Sequence, residues 1–312
     1  MENRILNPYK PIIFVSGKGG VGKSVVSASL AQHLANKGKK VLLVELGNRS
    51  FFEKFFQMNE EAKQVTYQPL EIRANLFVAI WDFKAVLKEY VSFYIKSEKL
   101  YDIFFGNQMM QKLIQAAPAL KELAILGKAT SGPRQVGPKI DYDHIIVDSY
   151  ATGHHKALLK APLGISHVIR KGPMGAHSES MRRVIQDPDL CQQIIVIKPE
   201  ELPTVEGLEL KEQLKSELNL NSTIVCNQIL NYPLNTEEFA SELKNCKSPS
   251  EKNFVEYFAK MFAEQRDCLK KVWDKDSGYI PIPFCFFSHD KYELVAELSK
   301  SFETLKSSGA KL

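Results

Sequence analysis

No run of the chain approaches the ~18 consecutive apolar residues of a membrane span. The opening stretch, Met1 to Lys10, is polar and mixed in charge, which argues against a secretory leader. Cysteine is sparse: Cys191, Cys226, Cys246, Cys268 and Cys285 are scattered, odd in number and without a Cys-x-x-Cys spacing. They are expected to be reduced thiols of a cytoplasmic protein, and they argue against a structural zinc site. A strong charge of one sign is also missing, because 41 basic residues face 36 acidic ones for a net +5. With no basic stripe interleaved with aromatics, no nucleic-acid partner is expected. There is no internal repeat and no low-complexity segment. What is present is 312 residues, 44% of them apolar and 25% charged. That suits one large soluble α/β domain or two small ones.

Short apolar strand candidates recur with helical stretches between them. They are Ile12 to Ser16, Lys40 to Glu45, Asn75 to Ile80, His144 to Asp148, Gln192 to Lys198, Ser222 to Gln228 and Tyr279 to Phe284. Several are continuous apolar runs, the pattern of strands covered on both faces of a parallel sheet. Their alternation with helices predicts a doubly wound, mostly parallel α/β sheet of right-handed units. Residues 82–128 stand apart, with no strand signal and apolar positions at helical spacing (Val86, Leu87, Tyr90, Val91, Tyr94 and Ile95; Met110, Leu113, Ile114, Ala117 and Leu120). They predict a helical subdomain inserted into a single domain of 1–312. Pro118 is placed to open its last helix, and the Gly/Pro-rich piece Ser131 to Pro138 is expected as a mobile loop.

Residues 17 to 24 read Gly-Lys-Gly-Gly-Val-Gly-Lys-Ser. This meets the phosphate-loop pattern: Gly17, four residues, then Gly22, Lys23 and Ser24. An apolar strand candidate leads in and a helical pattern leads out, so successive backbone N–H groups and a helix dipole converge on one spot. The whole loop (Gly17, Lys18, Gly19, Gly20, Val21, Gly22, Lys23, Ser24) is therefore expected to bind nucleotide phosphates. Lys23 is the expected β/γ-phosphate ligand, and Ser24 would place its hydroxyl on Mg²⁺. Asp148 ends a buried-strand pattern, where a carboxylate lies near such a metal.

Lys18, directly after the first glycine, narrows the motif. The octapeptide resembles the deviant phosphate loop of dimeric ATPases such as arsenite-pump ATPases, tail-anchored-protein-targeting ATPases, nitrogenase iron proteins and Min-type division ATPases. That resemblance implies that Lys18 reaches across a dimer interface to the partner's nucleotide. Asp148-Ser149-Tyr150-Ala151-Thr152-Gly153-His154 resembles the γ-phosphate-sensing switch of the arsenite-pump and targeting family. Asp148 is then associated with Mg²⁺, Thr152 and Gly153 are switch residues, and His154 ends the segment. Lys198-Pro199-Glu200-Glu201-Leu202-Pro203 resembles the family's Pro-Glu-Glu signature, and Ala117 to Leu123 a segment of bacterial members. By the same resemblance Asn227 reads the adenine edge, and Pro281 and Pro283 lie in the late loop that covers the base. Together these features span about residues 10 to 300 and imply a cytoplasmic ATP/ADP-binding protein of the phosphate-loop type.

One segment departs from the family. Its first switch normally carries aspartates, including the one that positions the attacking water. Here a gapless reading puts Gly47 and Lys54 at those positions, with Glu53 as the adjacent substitute. Lys18, Lys23 and Glu53 form the expected catalytic set, and ATP hydrolysis hangs on Glu53. The main expectation is a dimer, of identical chains or with a sister ATPase, that couples ATP to a membrane-protein client or membrane complex. Phe104, Phe105, Met109, Met110 and Leu113 would suit a groove for a client helix. The alternatives are a non-hydrolysing pseudo-ATPase that needs a catalytic sister chain, or a Min-type positioning ATPase. The Min-type reading requires an amphipathic tail, and Leu294 to Leu312 is too polar for one. The cysteines are not placed to bridge a cluster or to bind arsenite.

Overall fold

Strands that are apolar at nearly every position need cover on both faces, and the chain supplies it. The computed structural model describes residues 9–56, 64–94, 118–138, 140–168, 173–230, 241, 243–276, 278–286 and 290–303. The strands are β1 (Ile12–Gly17), β2 (Val41–Leu46), β3 (Leu70–Arg73), β4 (Leu76–Trp81), β5 (His144–Asp148), β6 (Cys191–Ile197), β7 (Ser222–Ile229) and β8 (Ile280–Pro283). They form a single sheet in the order β3-β4-β2-β5-β1-β6-β7-β8. Every pairing is parallel except that of β3 with β4.

Side chains alternate across the sheet, so each run feeds two cores. Ile12, Phe14, Leu42, Val44, Ile145, Val147, Ile195 and Ile197 face one core. Ile13, Val15, Val41, Leu43, Ile146, Ile194 and Val196 face the other. Each such side chain contributes roughly 1.5–3 kcal/mol by leaving water. A one-residue slip of a strand would exchange the two sets, so the burial pattern specifies register strongly. The second core is covered by α1 (Lys23–Asn36), α2 (Phe52–Phe55) and α10 (Lys291–Ser299). The first is covered by α3 (Phe83–Tyr94), α4 (Pro118–Ala129), α6 (Thr152–Val168), α7 (Pro173–Gln186), α8 (Glu201–Leu218) and α9 (Pro249–Asp276).

All seven expected strands are present, with ends shifted by one residue at most places. β3 is the additional one. Only four residues long, with Glu71 and Arg73 exposed, it turns back onto β4 through Asn75 at φ 64°. The expected loop at Ser131 to Pro138 opens instead with a helical turn, α5 (Ser131–Arg134). Arg134 fastens it by donating to the Gly127 carbonyl at 2.7 Å and the Thr130 hydroxyl at 2.8 Å. The described ends of 82–128 belong to the first core, because Val86 and Leu87 of α3 pack with Leu123, Ala124 and Leu126 of α4. A Cβ on Gly127 would lie 2.7 Å from the Tyr90 ring, so the two helices approach closely there. Ile95, Phe104, Phe105, Met109, Met110, Leu113, Ile114 and Ala117 lie outside the described residues.

Candidate functional site

β1 delivers the chain to Gly17 and α1 takes it up at Lys23, so both ends of the intervening loop are anchored in the sheet layer. Gly17, Gly20 and Gly22 adopt φ of 152°, 84° and 89°, where a Cβ is disfavoured. Two of them are also held by space. A Cβ would lie 2.2 Å from the Val196 carbonyl oxygen at Gly17, and 2.3 Å from Asn227 Nδ2 at Gly22. Gly22 caps α1 without a side-chain hydrogen bond, and the first turn holds no acidic residue. The amide N–H groups at this helix start are thus left for an anion.

Two side chains of α1 meet the end of β5. Register sets Asp148 beside Val15 of β1 and Glu45 of β2. Asp148 Oδ2 accepts from the Ser24 hydroxyl at 2.6 Å, and Oδ1 from the Ser27 hydroxyl at 3.1 Å. Burial pushes the Asp148 carboxyl above the usual range, against the pull of both serines and of Lys23. Lys23 donates to the Lys18 carbonyl at 3.1 Å. Burial lowers the Lys23 pKa, and Asp148 opposes that shift. A hydroxyl and a half-buried carboxylate, both hard oxygen donors, fit Mg²⁺, which is held by few protein ligands plus phosphate and water.

The segment after β5 is stitched to β1: the Ser149 N–H donates to Val15 O at 2.9 Å, and the Ser16 hydroxyl to Tyr150 O at 2.8 Å. Thr152 opens α6, with Gly153 and His154 exposed beside it.

A model of the anion-transporting ATPase family matches residues 10–176, which run from β1 through this loop and switch into α7. The chain belongs to that family. It is 28% identical over 229 residues to the ATPase BagA of Mycobacterium tuberculosis, covering 68% of this chain and 63% of that protein. It is 28% identical over 243 residues to an arsenical pump-driving ATPase of Acidiphilium multivorum, covering 73% of this chain and 41% of the relative. An Escherichia coli arsenical pump-driving ATPase is 26% identical over 248 residues, or 73% of this chain and 41% of its own length. The chain thus matches less than two thirds of the length of each of these three relatives.

The structure brings Gly17 to Ser24 and Asp148 together, and it gives Lys18, Glu53 and Asn227 partners within the chain. The Lys18 ammonium does not project freely: it is paired with Glu206 of α8 at 2.6 Å. Glu53 is engaged locally, its Oε1 accepting from the Val65 N–H at 2.8 Å. Asn227 sits behind the loop, 3% exposed, with Nδ2 donating to Val21 O at 2.9 Å. Pro281 and Pro283 belong to edge strand β8, where a missing N–H is tolerated. Neither lines the nearby cavity, which Phe284 and Phe286 border instead.

Besides Ser27 on Asp148 and Glu206 on Lys18, Glu45 and His155 escaped the sequence reading. Glu45 is a buried carboxylate whose Oε2 accepts from the Ser50 hydroxyl at 2.5 Å and whose Oε1 accepts from the Phe51 N–H at 2.7 Å. Burial raises its pKa, the hydrogen bonds oppose this, and Asp148 adds to the rise. Its signal was available, as a strand-ending carboxylate on the strand beside Asp148. His155, not His154, is the buried histidine of the switch, and its Nδ1 meets the Ser149 hydroxyl at 2.8 Å. Burial lowers its pKa to about 4, so the ring is neutral.

Proposed function

We propose that this protein is a Mg-dependent ATPase of the deviant phosphate-loop type, a cytoplasmic dimeric switch whose nucleotide state acts on a partner. The observation that carries this reading is the convergence of Lys23, Ser24 and Asp148 on a glycine loop whose helix start is left for an anion. The loop amides and Lys23 would hold the β- and γ-phosphates of ATP, and ADP after turnover. Ser24 directly, and Asp148 through water, would hold Mg²⁺, which supplies charge neutralisation on the phosphates. Thr152 and Gly153, at the exposed start of α6, are placed to respond to the terminal phosphate. The chain would act as one ATPase domain over 1–312, with 82–128 as its inserted helical part. The partner class, a hydrophobic client or a membrane complex, is carried over from the family resemblance, as is a dimer of identical or sister chains. Among the described residues no helix is long and apolar enough to cross a membrane.

A specific observation favours a second reading, in which the chain binds ATP but needs a sister chain to hydrolyse it. Gly47 and Lys54 occupy the first-switch positions, and the Glu53 carboxylate is engaged by Val65. Losing a water-orienting carboxylate costs orders of magnitude in rate while leaving binding intact. Phosphate release by the purified chain decides between the two. Turnover that disappears in Lys23→Ala supports the ATPase, whereas tight binding with background turnover supports the sister-chain reading. Turnover that survives Lys23→Ala would sink both.

A further inference from the structure

Near its start β6 carries two amides, Gln192 and Gln193, although the residues that follow, Ile194 to Ile197, are all apolar. Beside them a cavity of about 290 Å³ lies at the amino ends of β6 and β7, bordered by the ends of α7 and α8. It is separate from the phosphate loop. Gln193 stands three residues before Val196, the sheet partner of Gly17, which sets it about 10 Å back along the strand.

Gln192, Gln193 and Ser222 line this cavity, and Oε1 of each amide and Oγ of the serine are buried without a hydrogen-bond partner among the described residues. Gln193 and Ser222 are neighbours across the β6–β7 pairing. Gln193 is 1% exposed, and its Nε2 finds only the Cys191 sulfur, a weak acceptor, at 3.4 Å. Buried oxygens left in this way destabilise a fold, and a molecule that hydrogen-bonds to them would relieve it. The charged lining is basic, with Lys10 and Lys215 and no carboxylate. Lys10 is matched by Asp189 at 2.9 Å. Lys215, exposed in the last turn of α8, meets only the amide oxygens of Asn221 at 3.0 Å and Asn219 at 3.3 Å. An ammonium has three donors, so one is left for an anion.

We propose that this cavity is a second ligand site that takes a small hydroxylated anion, its charged group on Lys215 and its hydroxyls on Gln192, Gln193 and Ser222. A hydroxyl donates to an amide oxygen and both donates to and accepts from a serine, so one kind of group serves all three. The volume lies at the small end of ligand pockets, which run from roughly 300 to 1,000 Å³, so the ligand is a short polyol phosphate or hydroxy acid. The site stands whether or not the phosphate loop binds a nucleotide.

The test titrates glycerol 3-phosphate and glycerate, beside glycerol and inorganic phosphate, into the full chain carrying Lys23→Ala, which withdraws the phosphate loop from competition. At least one hydroxylated anion should bind at a single site, about tenfold or more tighter than glycerol or inorganic phosphate. Which of the two binds tells a phosphate from a carboxylate ligand. Lys215→Gln, at an exposed position where the fold is not at risk, should weaken that binding about fivefold or more. Gln193→Leu should weaken it about tenfold or more and yet melt no lower than its parent, because an apolar side chain replaces an amide with an unpartnered oxygen. If neither anion binds saturably, the cavity belongs to water and the proposal is overturned. Binding no tighter than that of glycerol or inorganic phosphate, or unchanged in Lys215→Gln, overturns it too. A Gln193→Leu protein that melts well below its parent would make the amide a structural group and remove it from the site.

Discussion

Asp148 is a carboxylate that the fold holds at a cost. Its pKa is raised by burial, so the stability it contributes is present at low pH and lost as pH rises through the folded value. Ionisation of this carboxyl is useful to a metal and unfavourable to the apo fold. Asp148→Asn is therefore expected to leave the melting temperature unchanged or raise it, while abolishing Mg-dependent stabilisation by ATP. Thermal melts with and without Mg-ATP check both halves, and a variant that still gains from Mg-ATP would contradict the assignment. His155 has the opposite sign. Its folded pKa is depressed to about 4 from the ordinary 6.5, so its contribution is intact above 6.5 and fades as pH falls toward 4. Up to about 3 kcal/mol is at stake for this fully buried ring. Denaturant melts between pH 4 and 7 should show His155→Gln losing less stability on acidification than wild type does.

At the scale of elements, two loops carry the site. Gly22 has both a left-handed φ and Asn227 Nδ2 in the space of its missing Cβ. Gly22→Ala should destabilise the protein by more than about 1 kcal/mol and weaken ATP binding. Gly19, with open space around it, should tolerate alanine far better. Ser50→Ala removes the hydroxyl that links Glu45 to the first-switch loop and should cost about 1 kcal/mol. Equal denaturation midpoints for Ser50→Ala and wild type would show that the link contributes nothing. The strands and the phosphate loop were legible because each element is specified locally. A buried run such as Ile145 to Val147 needs cover on both faces, and a glycine loop needs φ values that only glycine adopts readily. β3 was not legible because four residues with two charges carry too little pattern, and its pairing is fixed by the turn at Asn75. The true surroundings of Glu53, Asn227 and the two prolines were not legible either. Glu53 depends on a loop contact with Val65, Asn227 on Val21 far away in sequence, and Asn227 and the prolines lie beyond the family-matched span.

For the whole molecule, the Lys18–Glu206 pair links the phosphate loop to α8 within one chain. The two side chains are 28% and 32% exposed, so the pair is worth at most about 1 kcal/mol and is easily exchanged for another partner. If Lys18 serves the partner's nucleotide in a closed dimer, this contact competes with closure. Glu206→Gln should then raise the ATP-dependent dimer fraction by no more than about fivefold, and Lys18→Ala should abolish that dependence, as read by sedimentation. An ATP-independent state in all three proteins would remove Lys18 from any such role. The proposed switch depends on one event, Mg-ATP settling on the loop between β1 and α1. Calorimetric titration of the purified chain with Mg-ATP, beside Lys23→Ala, tests it most directly. Saturable one-site binding that is lost in the variant is the predicted result, and absence of binding to wild type, or equal binding to both, would contradict it.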